Sequence, residues 1–180
     1  MENQGQTHRL NDGTEVLIRP LREDDFESSM QFFKELPEEN RNTLRVDVTD
    51  PDVLKKRLRC EGILNTFRVG AFVQGRMVGD GLLEWPKFGW MSHVGEIRFI
   101  VAKDFRRRGL ASLLFRQLFF HGVREGLEKV ETRFIQDQTA ARKVAEKMGF
   151  TEEGILPGFA LDLRGKIHDL VIMSTHVEGF

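Results

Sequence analysis

The sequence predicts an α/β protein whose mixed sheet carries helices on its faces. The first observation is periodicity. Short segments of alternating or continuous apolar residues, typical of strands, are interspersed with segments whose apolar residues recur three and four apart, typical of helices. The second observation is the order of these segments along the chain, β-α-α-β-β-β-α-β-α-β-β, which is typical of a layered α/β architecture.

The first half of the chain contains five predicted elements. The first strand alternates and ends at Pro20, and the helix after it has acids in its first turn and ends before Pro37. Pro51 stands at the first position of the second helix, and Gln74-Gly75 forms a hairpin turn between two strands. These elements are a strand over 14–21, helices over 22–36 and 50–59, and strands over 66–73 and 76–85.

The second half contains six predicted elements. Its first segment, VGEIRFIVA, is the most strand-like of the chain because it is rich in β-branched and aromatic residues. Gly126 and Gly149 each follow a helical segment, at the position where a left-handed glycine ends a helix. These elements are a strand over 94–102, a helix over 108–125, a strand over 129–135, a helix over 139–148, and a hairpin of strands over 155–163 and 167–177.

Length and charge limit the domain organisation and the partners. The 180 residues are expected to form a single domain, residues 1–180, with residues 1–12 as a frayed lead-in. The 27 basic and 28 acidic side chains give a net charge of −1, which argues against a nucleic-acid-binding protein. Positive charge is concentrated locally at residues 106–108, and this fits a small anionic ligand.

Metal and membrane proteins are also disfavoured. The single cysteine excludes an intramolecular disulfide, and the five histidines never show metal-ligand spacing, so no metal is expected. No segment approaches 18 uninterrupted apolar residues and the first ten residues are polar, so neither a membrane segment nor a signal peptide is predicted. The expected localisation is therefore cytoplasmic.

The segment FRRRGLASLLFRQLFF (105–120) predicts a binding site for an anion. A helix N-terminus already carries partial positive charge, so three arginines directly before it are unfavourable unless a negative ligand binds there. The first backbone N–H groups of the helix point outward, and Gly109 and Ala111 leave room for a ligand to approach them. The prediction is a phosphate or pyrophosphate, although three solvated arginines before a core helix would give the same pattern. The nucleotide-loop patterns GxxxxGK[ST] and GxGxxG are absent.

Arg106-x-x-Gly109-x-Ala111 is similar to the R/Q-x-x-G-x-G/A motif of the GNAT superfamily of acyl-CoA-dependent N-acyltransferases. Val101 stands five residues before this motif at the end of a strand, as in that family, and QTAARKVAEKMGF (138–150) resembles the second signature of the family. The resemblance implies a GNAT-type mixed, mostly antiparallel sheet with splayed central parallel strands, flanked by helices. It also implies acetyl-CoA as the co-substrate.

Two segments, residues 11–41 and 95–111, resemble the acetyltransferase domain of bacterial Pat-type protein-lysine acetyltransferases. This resemblance implies an N-acetyltransferase whose acceptor is a primary amine, with a protein lysine as one candidate. A small-molecule acetyltransferase, acting on a polyamine, amino acid or antibiotic, is the competing enzyme. A non-catalytic acyl-CoA sensor is the alternative of a different class. No nucleic-acid or membrane partner is expected, and a homodimer is left open.

The GNAT resemblance also implies which residues contact the cofactor. The pantetheine arm would lie beside the strand that ends at Val101, and the pyrophosphate would lie on the backbone N–H groups of residues 107–112. Gln138 stands where the family often has an asparagine, and its amide is expected to contact the cofactor. The implied cofactor-binding residues are Phe99, Val101, Arg106, Arg107, Arg108, Gly109, Leu110, Ala111, Ser112 and Gln138.

The catalytic residue implied by the Pat-type resemblance is Glu96. An alkyl amine has a pKa near ~10.4, so only about one molecule in a thousand is neutral at pH 7 and a positioned base is needed. Glu96 lies on the cofactor-binding strand and matches a glutamate of the Pat-type segment, which makes it the predicted general base. The structural alternative is an ordinary strand carboxylate, paired with Arg98 or solvated. Glu84, Asp80 and His93 are the other candidate bases.

The general acid of many relatives is missing from this chain. Those relatives use a tyrosine to protonate the departing CoA thiolate, and the matching position, four residues before Gly149, is Ala145. The chain contains no tyrosine at all. Because a thiol with a pKa of about 8.5 is a fair leaving group, water could take over this role in an enzyme. The other reading is a protein that binds acyl-CoA and catalyses little.

Overall fold

The computed structural model describes residues 5–177, which form an eight-stranded sheet with helices packed against it. The strands are β1 (Gln6–Arg9), β2 (Glu15–Pro20), β3 (Leu64–Val73), β4 (Arg76–Pro86), β5 (Val94–Val101), β6 (Lys129–Ile135), β7 (Thr151–Leu161) and β8 (Ile167–His176). The helices are α1 (Phe26–Glu35), α2 (Glu38–Asn42), α3 (Pro51–Leu58), α4 (Leu110–Arg124) and α5 (Thr139–Lys147). Across this described part of the chain, no helix is long and apolar enough to cross a membrane.

The sheet has the strand order β1-β2-β3-β4-β5-β6-β8-β7. Of the strand pairs within residues 5–177, β5–β6 alone is parallel, and α4 forms the crossover that a parallel pair requires. These two strands pair at three positions, from Val94 opposite Lys129 to Glu96 opposite Glu131, and then separate. The predicted mostly antiparallel sheet with splayed central parallel strands is therefore confirmed.

Two short elements lie where the sequence predicted none. β1 pairs with β2 inside the expected lead-in of residues 1–12, of which residues 1–4 lie outside the described residues. The other is α2, directly after Pro37. Elements of four and five residues are too short to show a hydrophobic period, which is why the sequence did not reveal them. In addition, β7 begins at Thr151, four residues before the predicted strand.

Helix α4 packs on β4 through two glycines of the strand. A Cβ atom at Gly79 would lie 2.9 Å from Leu114 Cδ1, and one at Gly81 would lie 3.0 Å from Leu118 Cδ1. Both leucines are fully buried. Because the strand has no side chains at these positions, α4 lies close against the sheet, and the turn that joins β5 to α4 is held at one sheet face.

A partly buried ion pair joins the end of β2 to the start of α1. Arg19 donates to both oxygens of Asp25, at 2.7 and 2.6 Å, and the Arg22 N–H donates to the same carboxylate at 2.8 Å. Burial by itself raises the pKa of Asp25, but the hydrogen bonds from Arg19 and Arg22 outweigh it and hold the pKa below its ordinary value. The ionised pair therefore stabilises the folded state.

Asp25→Asn is expected to lower the free energy of unfolding by about 2 kcal/mol, because it removes the charged partner of Arg19. The pKa of Asp25 is lowered by folding, so this stabilisation is complete above the unfolded pKa of about 4 and disappears as the pH falls through the folded value. Urea titrations at pH 7 and pH 3 measure it. The exposed pair between Arg9 and Glu15 is the control, and Glu15→Gln should cost less than about 1 kcal/mol. Equal losses for the two variants would contradict the prediction.

Candidate active site

The separation of β5 and β6 opens a cleft of about 130 Å³. One wall contains Arg98, Phe99 and Ile100 of β5, and the other contains Thr132 and Phe134 of β6. Residues of α1, α3 and α5, and of the segment after α2, complete the lining. The cleft therefore lies where the backbone groups of β5 have lost their partners on β6.

Backbone groups of Phe99 and Val101 face the edge of β5 that β6 leaves unpaired. Successive N–H and C=O groups of a strand alternate between its two edges. The Ala102 N–H donates to the Val78 carbonyl at 2.9 Å, so the even-numbered residues of β5 point their backbone groups at β4. Phe99 and Val101 consequently point theirs at the unpaired edge. These are the two residues that the resemblance implied for the pantetheine arm.

Arg106 lies at the end of β5. Its Nε donates to the Val101 carbonyl at 3.3 Å, and its Nη2 donates to Asn40 Oδ1 at 2.8 Å. The guanidinium therefore has two partners within the protein and ties the turn before α4 to α2. Its structural contacts account for an arginine at this position without any ligand.

The turn before α4 presents backbone donors. Arg107 and Gly109 both have left-handed backbone conformations, with φ of 61° and 89°. The N–H groups of residues 110–112 have no acceptor inside the helix, and they donate no hydrogen bond to any other residue of the described chain. A Cβ at Gly109 would lie 3.0 Å from Asn11 Oδ1, so both the conformation and the space favour glycine. The result is a helix N-terminus suited to an anion.

The other two arginines of the motif differ in their contacts. Arg108 Nη1 donates to Asp12 Oδ2 at 2.8 Å, and the guanidinium lies over the ring of Phe105, 4.9 Å from its centre. Arg107 is exposed and has no side-chain partner within residues 5–177. Of the three guanidinium groups, that of Arg107 is the one available to a ligand at this turn.

Gln138 lines the cleft at the start of α5. Its Oε1 accepts a hydrogen bond from the Ile135 N–H at 3.0 Å, and its Nε2 donates to Thr43 Oγ1 at 3.3 Å. The amide thus links the end of β6 to the residue after α2. This position on the wall of the cleft is compatible with the predicted cofactor contact.

Glu96 lies at the point where β5 and β6 separate, on the sheet face opposite α4. It stands directly across from Glu84 on β4 and from Glu131 on β6, so three carboxylates form a row across the sheet. The β4–β5 register is regular, and no bulge displaces Glu96. Arg45 Nη1 donates to Glu96 Oε2 at 3.0 Å, and its Nη2 contacts Oε1.

Each carboxylate of this row has its own arginine, but not the one expected for Glu96. Arg98 contacts Glu84, and Arg133 Nε donates to Glu131 at 2.9 Å. The alternative pairing of Glu96 with Arg98 is therefore wrong, because Arg98 turns towards β4 and Arg45 takes its place. That partner comes from a segment 51 residues earlier in the chain.

The remaining candidate bases are less suitably placed. Asp80 is 4% exposed and accepts hydrogen bonds from Arg68 at 3.0 and 3.2 Å. Glu84 lies on β4, one strand away from the open edge of β5, and His93 is exposed before the start of β5. No group of three or more His, Cys, Asp or Glu side chains in the described residues is arranged to hold a metal ion.

Sequence reasoning named Asp80 as a candidate base but missed the two arginines that hold it. Arg57 of α3 and Arg68 of β3 converge on Asp80 of β4, and Arg98 lies beside them on the same sheet face. The signal for Arg68 was present, because this arginine interrupts an otherwise apolar strand. Thr132 was also missed: its hydroxyl is buried in the cleft wall and has no partner among residues 5–177.

The fold and the site define a class of protein. The sequence model of the acetyltransferase (GNAT) family matches residues 26–150, which include β5, the turn before α4 and Gly149-Phe150. The chain belongs to this family, and acetyl-CoA is the co-substrate that the family uses. The family and the co-substrate predicted from the sequence are thus confirmed.

Particular relatives are similar over most of the chain. The L-amino acid N-acetyltransferase AaaT of Escherichia coli (strain K12) is 27% identical over 151 residues, which are 82% of this chain and 90% of that protein. The GNAT domain of S. lividans PAT has a TM-score of 0.75 at 17% identity, over 96% of this chain and 97% of the domain. The Salmonella typhimurium protein yncA, solved with its cofactor acetyl-CoA, has a TM-score of 0.76 at 17% identity, over 92% and 95%. The structural likenesses show the shared fold.

Proposed function

We propose that the protein transfers the acetyl group of acetyl-CoA to the nitrogen of a primary amine, by direct attack in a ternary complex. The observation that carries this proposal is the cleft between β5 and β6, with the backbone donors before α4 at the end of the same strand. A ligand with a diphosphate at one end and a thioester at the other suits this arrangement.

The cofactor contacts follow from the backbone groups at the open edge of β5 and at the start of α4. Backbone groups of Phe99 and Val101 pair with the amides of the pantetheine arm, as they would with an added strand. The diphosphate accepts hydrogen bonds from the N–H groups of residues 107–112, and Arg107 adds a charge-assisted contact. The buried hydroxyl of Thr132 supplies a further donor in the cleft wall. Arg106 and Arg108 support the turn through their protein partners.

Glu96 is the general base in this proposal. It takes a proton from the ammonium form of the acceptor, directly or through one water, and the neutral nitrogen attacks the thioester carbonyl carbon. The carbon–sulfur bond then breaks, the nitrogen gives up its second proton to water, and CoA leaves as a thiolate that takes up a proton from solvent. Glu96 returns its own proton to solvent at the end of the cycle. Arg45 orients the Glu96 carboxylate through two contacts. Ala145 is fully buried in α5 and supplies no acid, which a leaving thiol with a pKa of about 8.5 can tolerate.

The acceptor is open between two classes of amine. The name of the Escherichia coli relative, an L-amino acid N-acetyltransferase, supports a small-molecule acceptor. The resemblance of residues 11–41 and 95–111 to Pat-type enzymes supports a protein lysine as the second candidate. Both acceptors need the same deprotonation at Glu96.

Two measurements test the proposed function. Acetyl-CoA should raise the melting temperature of the protein, and release of free CoA thiol should depend on an added amine. The acceptor panel should include small amines and a protein mixture probed for acetyl-lysine. The absence of a thermal shift with every CoA ester would overturn the cofactor assignment. A shift without thiol release on any acceptor would favour the acyl-CoA sensor.

Arg107→Ala is expected to raise the KM for acetyl-CoA about 10-fold, because a charge-assisted hydrogen bond contributes about 1.5 kcal/mol. The kcat should be unchanged, since the residue lies away from the reacting atoms. Steady-state kinetics at 50 mM and 500 mM salt measure the effect, which should shrink as salt screens the contact. Arg116→Ala is the control, because this exposed arginine lies further along α4. Equal KM values for the two variants would contradict the assignment.

A further inference from the structure

The charged side chains around the cleft include one more positive group than negative groups. Arg45 is neutralised by Glu96, Arg98 by Glu84, and each of these contacts joins one cation to one anion. Arg133 is likewise paired with Glu131. Arg57 and Arg68, by contrast, share the single carboxylate of Asp80. One positive charge is therefore left over.

The surplus charge lies on Arg57. Arg68 contacts both oxygens of Asp80, at 3.2 and 3.0 Å, whereas Arg57 reaches one oxygen at 3.5 Å. Arg57 and Arg98 both line the cleft, and the Nε atom of each is buried without a hydrogen-bond partner among the described residues. Two guanidinium groups with unused donors thus border the same cavity.

Burial and neighbouring positive charges make the charged forms of Arg57 and Arg98 unfavourable unless an anion binds beside them. Burial, and then the charge of Arg68, lower the pKa of Arg57 to about 10. Burial, and then the charges of Arg45 and Arg57, lower the pKa of Arg98 to about 9. Both values mean that the environment disfavours the positive charge. A singly charged anion in the cleft would balance the surplus and satisfy the open donors.

The distance between Glu96 and Arg98 fits the size of an α-amino acid. Glu96 and Arg98 are alternate residues of β5 on the same sheet face, and their Cα atoms are about 6.7 Å apart in an extended strand. An α-amino acid carries its amine and its carboxylate on one carbon. Such a molecule can present its nitrogen to Glu96 while its carboxylate lies near Arg98 and Arg57. Phe33, Leu44 and Leu82 give the rest of the cavity an apolar lining for a side chain.

We propose that the acceptor is a free amino acid or a similarly short amino-carboxylate, and that Arg57 and Arg98 bind its carboxylate beside the row of Glu84, Glu96 and Glu131. This inference rests on the proposed function and specifies its substrate class. It disfavours polyamines, which bring only positive charge, and it disfavours lysine side chains within proteins, whose peptide groups offer no carboxylate to the two arginines.

Matched acceptors test the carboxylate directly. The wild-type protein is assayed for CoA thiol release with apolar L-amino acids such as leucine, with their amides, with the corresponding decarboxylated amines, and with a blocked lysine peptide. The expected kcat/KM is at least about 100-fold higher for the amino acid than for its amide, because the amide leaves the arginines without an anion. Equal values, or preference for the lysine peptide, would overturn the inference and leave the proposed transferase intact.

Arg57→Gln tests the site itself. Glutamine keeps a polar side chain but removes the surplus charge, and Asp80 retains Arg68 as its partner. The variant should raise the KM for the amino acid about 10-fold or more, and it should lower the ratio of kcat/KM for the amino acid to kcat/KM for the amide by a similar factor. Arg133→Gln, a cleft arginine balanced by Glu131, is the control and should leave the preference for amino acids intact. Equal effects of the two substitutions on amino-acid preference would contradict the assignment.

A binding measurement separates this inference from catalysis. With free CoA present, an amino acid should raise the melting temperature of the wild-type protein, and its amide should not. Arg57→Gln should abolish this second shift while keeping the shift caused by CoA. If CoA binds and neither acceptor adds stability or turnover, the carboxylate site is refuted. If CoA itself fails to bind, the proposed function fails first.

Discussion

Gly109→Glu is expected to weaken acetyl-CoA binding by at least about 100-fold, through the loss of roughly two charge-assisted hydrogen bonds of about 1.5 kcal/mol each. The substitution places a carboxylate at the turn before α4, whose N–H groups bind the diphosphate in the proposed complex. It also forces a left-handed φ of 89° on a residue with a Cβ, 3.0 Å from Asn11 Oδ1. Calorimetric titration with acetyl-CoA measures the loss.

Backbone strain has to be separated from charge at this position. Gly126→Glu is the matched control, because Gly126 has a φ of 77°, follows the other end of α4, and has no atom within 4 Å of an added Cβ. It should lower the melting temperature but leave the dissociation constant within about 3-fold. Gly109→Ala adds the strain without the charge and should fall between Gly109→Glu and wild type. Wild-type affinity in Gly109→Glu would remove the anion site from the turn before α4.

The parts of the fold that the sequence predicted correctly are those with a strong local pattern. The Gln74-Gly75 hairpin is found where it was predicted, with φ values of 50° and 81°. The side chain of Asp50 accepts hydrogen bonds from the first N–H groups of α3, as a cap before Pro51 should. The splayed strands were implied by the resemblance of Val101, residues 106–111 and residues 138–150 to a family, because local propensity contains no information on where two parallel strands part.

The partners in the ion pairs of the site could not be predicted from the sequence. Local spacing allowed a pair between Glu96 and Arg98, which are alternate residues on one face of β5. In the folded chain Arg98 contacts Glu84, because antiparallel pairing brings β4 within reach of its long side chain. Arg45 contacts Glu96 from a loop whose position depends on the whole domain. Partners of this kind are decided by tertiary structure, and periodicity does not encode them.

Glu96→Gln is expected to lower kcat by about 10² to 10⁴-fold at pH 7, because the amide cannot accept the proton of the acceptor. The KM for acetyl-CoA should be unchanged, since the Glu96 side chain lies on the sheet face opposite α4, away from the turn that binds the diphosphate. The loss should diminish as the pH approaches the pKa of the acceptor's ammonium group, where the amine deprotonates without help. Initial rates between pH 6 and pH 10 measure both effects.

The row of carboxylates provides the control that decides this assignment. Glu131→Gln removes the neighbouring carboxylate of β6, which is also paired with an arginine, and alters the local charge by the same amount. If Glu96 accepts the proton, Glu131→Gln should change kcat by less than about 3-fold and should leave the pH profile unchanged. If both variants lose the same activity, the row of carboxylates affects catalysis through its total negative charge, and Glu96 is not the base. The base would then be sought in a cleft water instead, because Asp80 is only 4% exposed and Glu84 lies on β4, one strand away from the open edge of β5.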